Sequence, residues 1–461
     1  MTDTARNRFE TSSLCEQDVG DAIARIAARD PEVAREAGDV YESLTWGEGP
    51  GVLSQAGLQH WLWYVVPTKY ITDEVGYMGQ LAGTAAALLD ELGLHAYAAI
   101  CRSPETAAVH AAYDRSDNEG ISALRKAMQR SGIDPPDLAD FEWSSVMGPE
   151  EATARSAVQD ALERAIAVGE LAVGGRGWRA AQAAVATAAL DGDHPILPGQ
   201  SWRTAVITER LERWIAAVSG RSEQLSAARA RVANRLLHRV EPPAGAQESL
   251  GPVLWLLERF GDKQTLTQAG YLKPAFVQSV QRDRPWTYRY ELDRPPRTET
   301  DDVVLYHLRR WLQRAGALQK RKTLLRRTAA GTEMTADWHK AWDRLTRHLA
   351  PSGWDGFVAE TAVLHLIDRG SEVSYKELTT LVAAVAVDMG WVTTSDGVRV
   401  LPSAMEVSWA LSESLSSWRA CDLVVDRGDW QDRRLALTEV GVAAVLTYLR
   451  HVGAGPRDSP W

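Results

Sequence analysis

The chain has few cysteines and none of the short motifs that hold cofactors or metals. Cys15, Cys101 and Cys421 are odd in number and far apart in the 461 residues. They form no CxxC pair and no Cys/His cluster, which argues against a disulfide scaffold or a structural zinc site. The patterns GxxxxGK(S/T), GxGxxG, GxSxG and HExxH are also absent. The sequence therefore predicts no cofactor and indicates no particular reaction.

Long apolar segments are missing as well. No stretch of about 18 apolar residues occurs, so we expect no transmembrane helix. The first residues, Met1–Arg6, are polar and lack the apolar core of a signal peptide. Together with the cysteine usage, this predicts a cytoplasmic protein without a membrane partner.

The charge balance limits the class of partner. The formal net charge is −10, and so acidic a chain does not coat nucleic acid or anionic membranes with its whole surface. A local basic surface remains compatible with this balance.

A Thr-x-x-Gly pattern, preceded by Leu or Arg, occurs three times in the second half of the chain. It spans Leu266–Gly270, Arg327–Gly331 and Leu437–Gly441. A threonine can cap the helix that follows it, and a glycine allows close approach of another backbone segment. We therefore expect each pattern to mark the end of a hairpin strand and the start of a helix.

The sequence pattern changes at Glu241–Gly245, where Pro242 and Pro243 follow a basic helical run. After this segment, helical patterns alternate with short β-like pairs. We place a domain boundary there. Residues 169–178 form either a short strand with a Gly-rich turn, here called a small wing, or a loop between helices. The predicted organisation is a polar tail (1–15), a helical domain (16–240), two module regions (246–350 and 351–452) that each hold one or more modules, and a tail (453–461).

Helices alternate with short hairpins in the two modules. A helix over Asp301–Ala315 precedes a hairpin at 316–331 whose tip is Lys320-Arg321-Lys322. In the second module, a helix over Phe357–Asp368 and a helix capped by Ser374 precede a hairpin at Asp396-Gly397. Another hairpin is predicted around Asp426–Asp429. The predicted fold class is mainly α with short β-hairpins.

The order of glycine, hairpin and Leu-Thr-x-x-Gly resembles the wing of winged-helix proteins such as the MarR, ArsR and PadR regulators. The resemblance covers residues 246–452 and implies tandem winged-helix-like modules. The whole chain also resembles uncharacterised proteins of actinobacteria, most closely in Leu266–Pro274, which implies no activity. Its length, its several wings and its helical first half depart from those regulators.

The sharpest functional candidate is a group of basic residues around the first hairpin. Its members are Arg310, Lys320, Arg321, Lys322, Arg326 and Arg327. Clustered cations at a wing tip can contact DNA phosphates and release counterions. The alternative is a solvated hairpin face paired with Glu299, Asp301 or Asp302. Base readout is not indicated, because the preceding helix offers only Gln313.

Two other functions remain open from the sequence. The acidic and mixed hairpins of the second module suit protein–protein contact, so a scaffold subunit without DNA contact, or self-association, is one alternative. An enzyme with a non-local site in the helical half is the other. There, Cys101 precedes a helix start that could lower its thiol pKa, or it is a buried structural residue.

Overall fold

The computed structural model describes Thr11 and residues 13–70, 76–287, 295–395, 398–429 and 431–457. It confirms a mainly helical protein with small antiparallel sheets. The chain divides into two compact units, Met1–Val206 with Arg457–Trp461, and Ile207–Pro456.

The first unit is built from helices around two apolar clusters. The helices are α1 (Glu16–Ala27), α2 (Pro31–Thr45), α3 (Gln55–His60), α4 (Val66–Lys69), α5 (Tyr77–Glu91), α6 (His95–Cys101), α7 (Pro104–Tyr113), α8 (Asp117–Ser131), α9 (Pro149–Ala167) and α10 (Trp178–Leu190). A 3₁₀ turn at Pro50–Val52 and a π-helical turn at Trp61–Val65 flank α3. Residues 169–177 form turns without a strand, so the loop interpretation of 169–178 is correct and the small wing is not formed.

The second unit contains the strands of both modules. Its helices are α11 (Trp202–Ser219, which begins in the first unit), α12 (Glu223–Leu236), α13 (Ala246–Phe260), α14 (Pro274–Asp283), α15 (Val303–Arg314), α16 (Ala329–Ala336), α17 (Trp338–Arg347), α18 (Gly353–Arg369), α19 (Tyr375–Asp388), α20 (Ala404–Ala420) and α21 (Glu439–Ala454). Its strands are β1 (Lys263–Thr265), β2 (Leu318–Arg321), β3 (Leu324–Arg327), β4 (Val373–Ser374), β5 (Thr393–Ser395), β6 (Val398–Val400), β7 (Val424–Arg427) and β8 (Arg434–Leu437).

The division between the units falls earlier than the Pro242-Pro243 segment. The helix α12, which precedes these prolines, packs against α18 and α21 of the second unit. The Arg229 guanidinium bonds to the buried Glu360 carboxylate at 2.8 Å and to the Trp214 carbonyl at 2.5 Å. Because an unpaired buried charge is costly, this contact ties α12 to the modules that follow it.

The two modules repeat one order of elements. In the first module (Ala246–Arg327), α13, β1, α14, α15, β2 and β3 follow one another, and the antiparallel sheet has the order β1–β3–β2. In the second module (Gly353–Leu437), α18, β4, α19, α20, β7 and β8 occupy the same places, with the sheet order β4–β8–β7. The third helix of each carries a fully buried tryptophan, Trp311 or Trp418, whose indole N–H donates to the Leu345 or Leu349 carbonyl.

The predicted hairpin at Asp396-Gly397 differs from the hairpin that completes the second module. Among the described residues, the strands β5 and β6 pair with each other and with no further strand, as an insertion between α19 and α20. The strand β8, not β6, pairs with β4, through Val373 opposite Leu435. The two tip residues themselves lie outside the described residues.

Two of the three Thr-x-x-Gly patterns have the predicted geometry. The hydroxyls of Thr328 and Thr438 accept the Gly331 and Gly441 N–H groups, at 3.0 and 2.9 Å, and cap α16 and α21. Thr267 does not cap a helix, so that prediction is wrong. Its hydroxyl accepts the Tyr271 N–H at 3.1 Å within a turn, and α14 begins only at Pro274.

Candidate nucleic-acid interface

The hairpin of β2 and β3 presents its tip to solvent and its base to the core. Leu318 and Leu325 are almost completely buried, 3% and 1% exposed, and fix the hairpin on the first module. Lys320, Arg321 and Lys322 are exposed. Lys322 adopts a left-handed backbone conformation with φ of 55°, which reverses the chain between the strands.

The register of the sheet places the cations on two faces. Arg326 lies opposite Gln319 of β2 and Lys263 of β1. Because side chains alternate along a strand, Lys263, Arg321 and Arg326 share the outer face. Lys320 lies opposite Leu325 and belongs to the other face, towards Gly270, where a β-carbon would contact the Lys320 Cε at 3.1 Å.

Most of these cations have no acidic partner in the part of the chain that the structure describes. Within the described ranges, no carboxylate lies within 4.0 Å of Lys263, Lys320, Arg321, Lys322 or Arg326. Arg321 donates to the neighbouring Gln319 amide oxygen, at 3.0 Å. The predicted pairing of the hairpin with Glu299, Asp301 or Asp302 is not formed in this part of the chain.

Arg327 differs from the other hairpin cations. Its guanidinium lies 3.1 Å from the Asp262 carboxylate, which is itself 95% exposed. An exposed pair of this kind is weak and screened by salt. Asp262 therefore neutralises the charge of Arg327 only in part.

Arg310 differs from the exposed hairpin cations because it has a carboxylate partner on α20. The helix α15 packs against α20, and Glu413 of α20 lies 3.5 Å from Arg310 and also bonds to Arg314. Burial lowers the pKa of Arg314, and Glu413 opposes this effect. The face of α15 that carries these arginines therefore meets α20 rather than standing free.

A cleft of about 370 Å³ opens beside the hairpin. It is lined by Ala269, Gly270, Tyr271, Tyr306, Arg309, Arg310, Gln313, Arg314 and Lys320. Lys320 and Arg310 are thus brought to one concave surface, whereas Arg321, Lys322, Arg326 and Arg327 do not line it.

Sequence reasoning missed Lys263, Tyr271, Tyr306 and Glu413. Lys263 joins the site only because β1 pairs with β3 across about 60 residues of chain, and Glu413 only because α20 packs on α15. The signal that could have found Lys263 is the short polar strand between Gly261 and Leu266, a candidate edge strand of the hairpin sheet.

Cys101 is the candidate residue of the enzyme alternative. Cys101 is buried, and burial raises its thiol pKa to about 12, so the helix start does not activate it. His95 is exposed and bonds to Asp90 at 2.9 Å. Across the described residues, no group of three or more His, Cys, Asp or Glu side chains is placed to hold a metal ion.

Comparison of the chain with protein-family models, curated proteins and solved structures gives no significant match. Among the described helices, none is both long and apolar enough to cross a membrane.

Proposed function

We propose that the protein binds duplex nucleic acid through the phosphate backbone, using the outer face and tip of the β2–β3 hairpin. The observation that carries the proposal is the cluster of Lys263, Lys320, Arg321, Lys322 and Arg326, which lacks any acidic partner among the described residues. Cations without a protein partner can replace the counterions of a phosphate chain.

The proposed contact rests on the interpretation of both modules as winged helices. The repeated order helix, strand, two helices and hairpin supports it, as does the sheet order that places the last strand between the other two. In this interpretation β2–β3 is the wing of the first module and β7–β8 the wing of the second.

Phosphates rather than bases are the proposed target. The helix that would read a groove in the first module is α15, and its Arg310 and Arg314 bond to Glu413 of α20. Inserting α15 into a groove would break these ion pairs, so the proposed binding is independent of base sequence. Arg310 is therefore not part of the proposed duplex contact.

The net charge of −10 opposes binding, so the complex should form at low salt and dissociate as salt rises. Each phosphate contact contributes about −0.9 to the slope of log Kobs against log salt on duplex DNA. The wild-type slope should therefore fall between about −3 and −5 for the cluster.

The test is fluorescence anisotropy of a labelled duplex over a salt series. The variant Lys320→Gln/Arg321→Gln/Lys322→Gln should reduce the slope by about 2 to 3. The control Arg125→Gln/Lys126→Gln/Arg130→Gln removes the same charge from α8 and should leave the slope near that of the wild type. Absence of binding at low salt, or equal slopes for both variants, would refute the proposal.

A second candidate function is protein–protein contact through α20. Met405 and Trp409 lie four residues apart on one face of that helix and are 59% and 64% exposed. Exposed apolar side chains of this size at adjacent positions are typical of contact surfaces. If a second copy binds there, the sedimentation coefficient of the wild type should rise with protein concentration. The variant Trp409→Gln should abolish that rise.

A further inference from the structure

The cleft between α15, β2 and the turn at 269–271 has a composition that differs from the outer face of the hairpin. It combines four cations, Arg309, Arg310, Arg314 and Lys320, with two tyrosines and one glutamine. A concave site with a few convergent polar groups and aromatic walls suits a small molecule better than an extended chain.

Three carboxylates that do not line the cleft neutralise part of its positive charge. Glu299, which is fully buried, bonds to Arg309 and accepts the Leu272 N–H at 2.6 Å. Glu413 bonds to Arg314 and lies 3.5 Å from Arg310. Asp355 attracts the charges of Arg310 and Arg314 from beyond ion-pair distance.

Lys320 and Arg310 are the most exposed cations of the cleft, and Arg310 keeps Glu413 as its carboxylate partner. The Lys320 ammonium has no carboxylate within 4.0 Å in the described ranges, and the Arg310 side chain is 46% exposed. Two cations at one opening match a phosphate monoester, which carries about −1.5 to −2 charges near neutral pH.

The aromatic residues complete the recognition surface. The ring centroids of Tyr271 and Tyr306 are 6.5 Å apart with an interplanar angle of 40°. The Arg310 guanidinium lies 5.6 Å from the centroid of the Tyr306 ring and donates to its hydroxyl at 3.0 Å. Tyr271 is 38% exposed, so its ring is accessible to a planar ligand that stacks on it.

Gln313 supplies a polar edge. Its amide oxygen accepts from the Arg309 guanidinium at 3.3 Å, so its amide N–H groups are the donors that it can offer to a ligand.

We propose that this cleft binds a nucleoside monophosphate, with the phosphate on Lys320 and Arg310 and the base against Tyr271. The ligand is either a free mononucleotide or the 5′-phosphorylated end of a strand, which present the same chemistry. The site shares Lys320 with the proposed duplex contact but is otherwise separate from it, because Arg321, Lys322 and Arg326 do not line the cleft.

Isothermal titration calorimetry of the full chain with adenosine 5′-monophosphate tests the site. Adenosine 5′-monophosphate should bind at least about tenfold more tightly than inorganic phosphate or adenosine alone, because only it uses both cations and ring. Binding no tighter than that of inorganic phosphate would overturn the proposal.

Substitutions at Tyr271 and Arg310 assign the contacts. Tyr271→Leu should weaken nucleotide binding about tenfold, Tyr271→Phe should retain it because the ring remains, and Arg310→Gln should weaken it comparably. Lys273→Gln removes a nearby exposed cation outside the cleft and should leave it unchanged. Equal loss in Lys273→Gln and Arg310→Gln would refute the site, because it would indicate general charge attraction.

Short single strands with a 5′-phosphate or a 5′-hydroxyl distinguish the sources. Preference for the phosphorylated strand, lost in Tyr271→Leu, supports the strand end. Equal binding of both strands, with competition only by the mononucleotide, supports the free ligand. The duplex salt series reports on the hairpin separately, so failure of either proposal is distinguishable from failure of the other.

Discussion

Gly441 packs directly on the carbonyl group of Leu423, so closely that a β-carbon at Gly441 would lie 2.7 Å from the Leu423 carbonyl carbon. Gly331 has the same relation to Ala317, with 3.1 Å for the equivalent distance. After each hairpin, the first turn of the following helix thus contacts the residue that directly precedes the first hairpin strand, Ala317 before β2 and Leu423 before β7.

Alanine at these glycines should destabilise the protein. Gly441→Ala and Gly331→Ala would force backbone against backbone, and each should cost about 1 to 3 kcal/mol in the free energy of unfolding measured with urea. Gly83→Ala within α5 is the control, because a β-carbon added there would meet nothing within 4 Å. Helix propensity predicts that Gly83→Ala stabilises by about 0.5 to 1 kcal/mol. Equal effects at the three positions would contradict the close approach.

Removing the hydroxyl of Thr328 should weaken the cap of α16. This hydroxyl donates to the Gly316 carbonyl at 2.6 Å and accepts the Gly331 N–H at 3.0 Å. Thr328→Val retains the shape and should lower the free energy of unfolding by about 1 kcal/mol. Thr332→Val, an exposed position inside the same helix, should change it by less than about 0.5 kcal/mol. A Thr328→Val effect no larger than that of Thr332→Val would show that the cap is unimportant.

The stability should depend on pH through His307. Burial lowers the pKa of His307 to about 4, against the attraction of Glu413, while Arg310 and Arg314 lower it further. An unfolded histidine titrates near pH 6.5, so between these values the unfolded chain binds a proton that the folded chain does not. The contribution of His307 to the free energy of unfolding is at its maximum above about pH 6.5. It decreases as the pH falls, by about 2 kcal/mol at about pH 5.

His307→Gln isolates this contribution. Urea unfolding near neutral pH and near pH 5 should show a smaller loss of stability on acidification for the variant than for the wild type, by about 2 kcal/mol. The difference between the two losses excludes the contributions of the other histidines, because both proteins contain them. Identical losses would show that His307 is protonated in the folded state.

The three thiols should react in two classes. Burial raises the pKa of Cys101 and of Cys421 to about 12, whereas Cys15 is exposed. Because the thiolate is the reactive form, only Cys15 should react rapidly with a thiol reagent in the native protein. Cys15→Ser should remove the rapid phase and leave the phase that appears on unfolding. Rapid reaction of more than one thiol in the native wild type would contradict the burial of Cys101 and Cys421.

The sequence predicted the features that local chemistry decides. The hairpin tip at Lys320–Lys322, the caps at Thr328 and Thr438, and the helices flanking them depend on residues a few positions apart. The pairing of β4 with β8 and the ion pair of Arg314 with Glu413 depend on tertiary packing over long stretches of chain, which no local pattern encodes. Thr267 shows the limit: its motif matches the others, but Pro274 starts the next helix later and leaves the threonine in a turn.

The contact of α15 with α20 also constrains how this part of the chain can be divided or altered. A fragment ending before residue 351 would leave the α15 face that meets α20 uncovered, and Arg314 without its carboxylate. Such a fragment should aggregate, although its sheet and its sequence pattern look complete. Exchange of Glu413 is expected to require a matching change at Arg314, so the two modules cannot be altered independently at this contact.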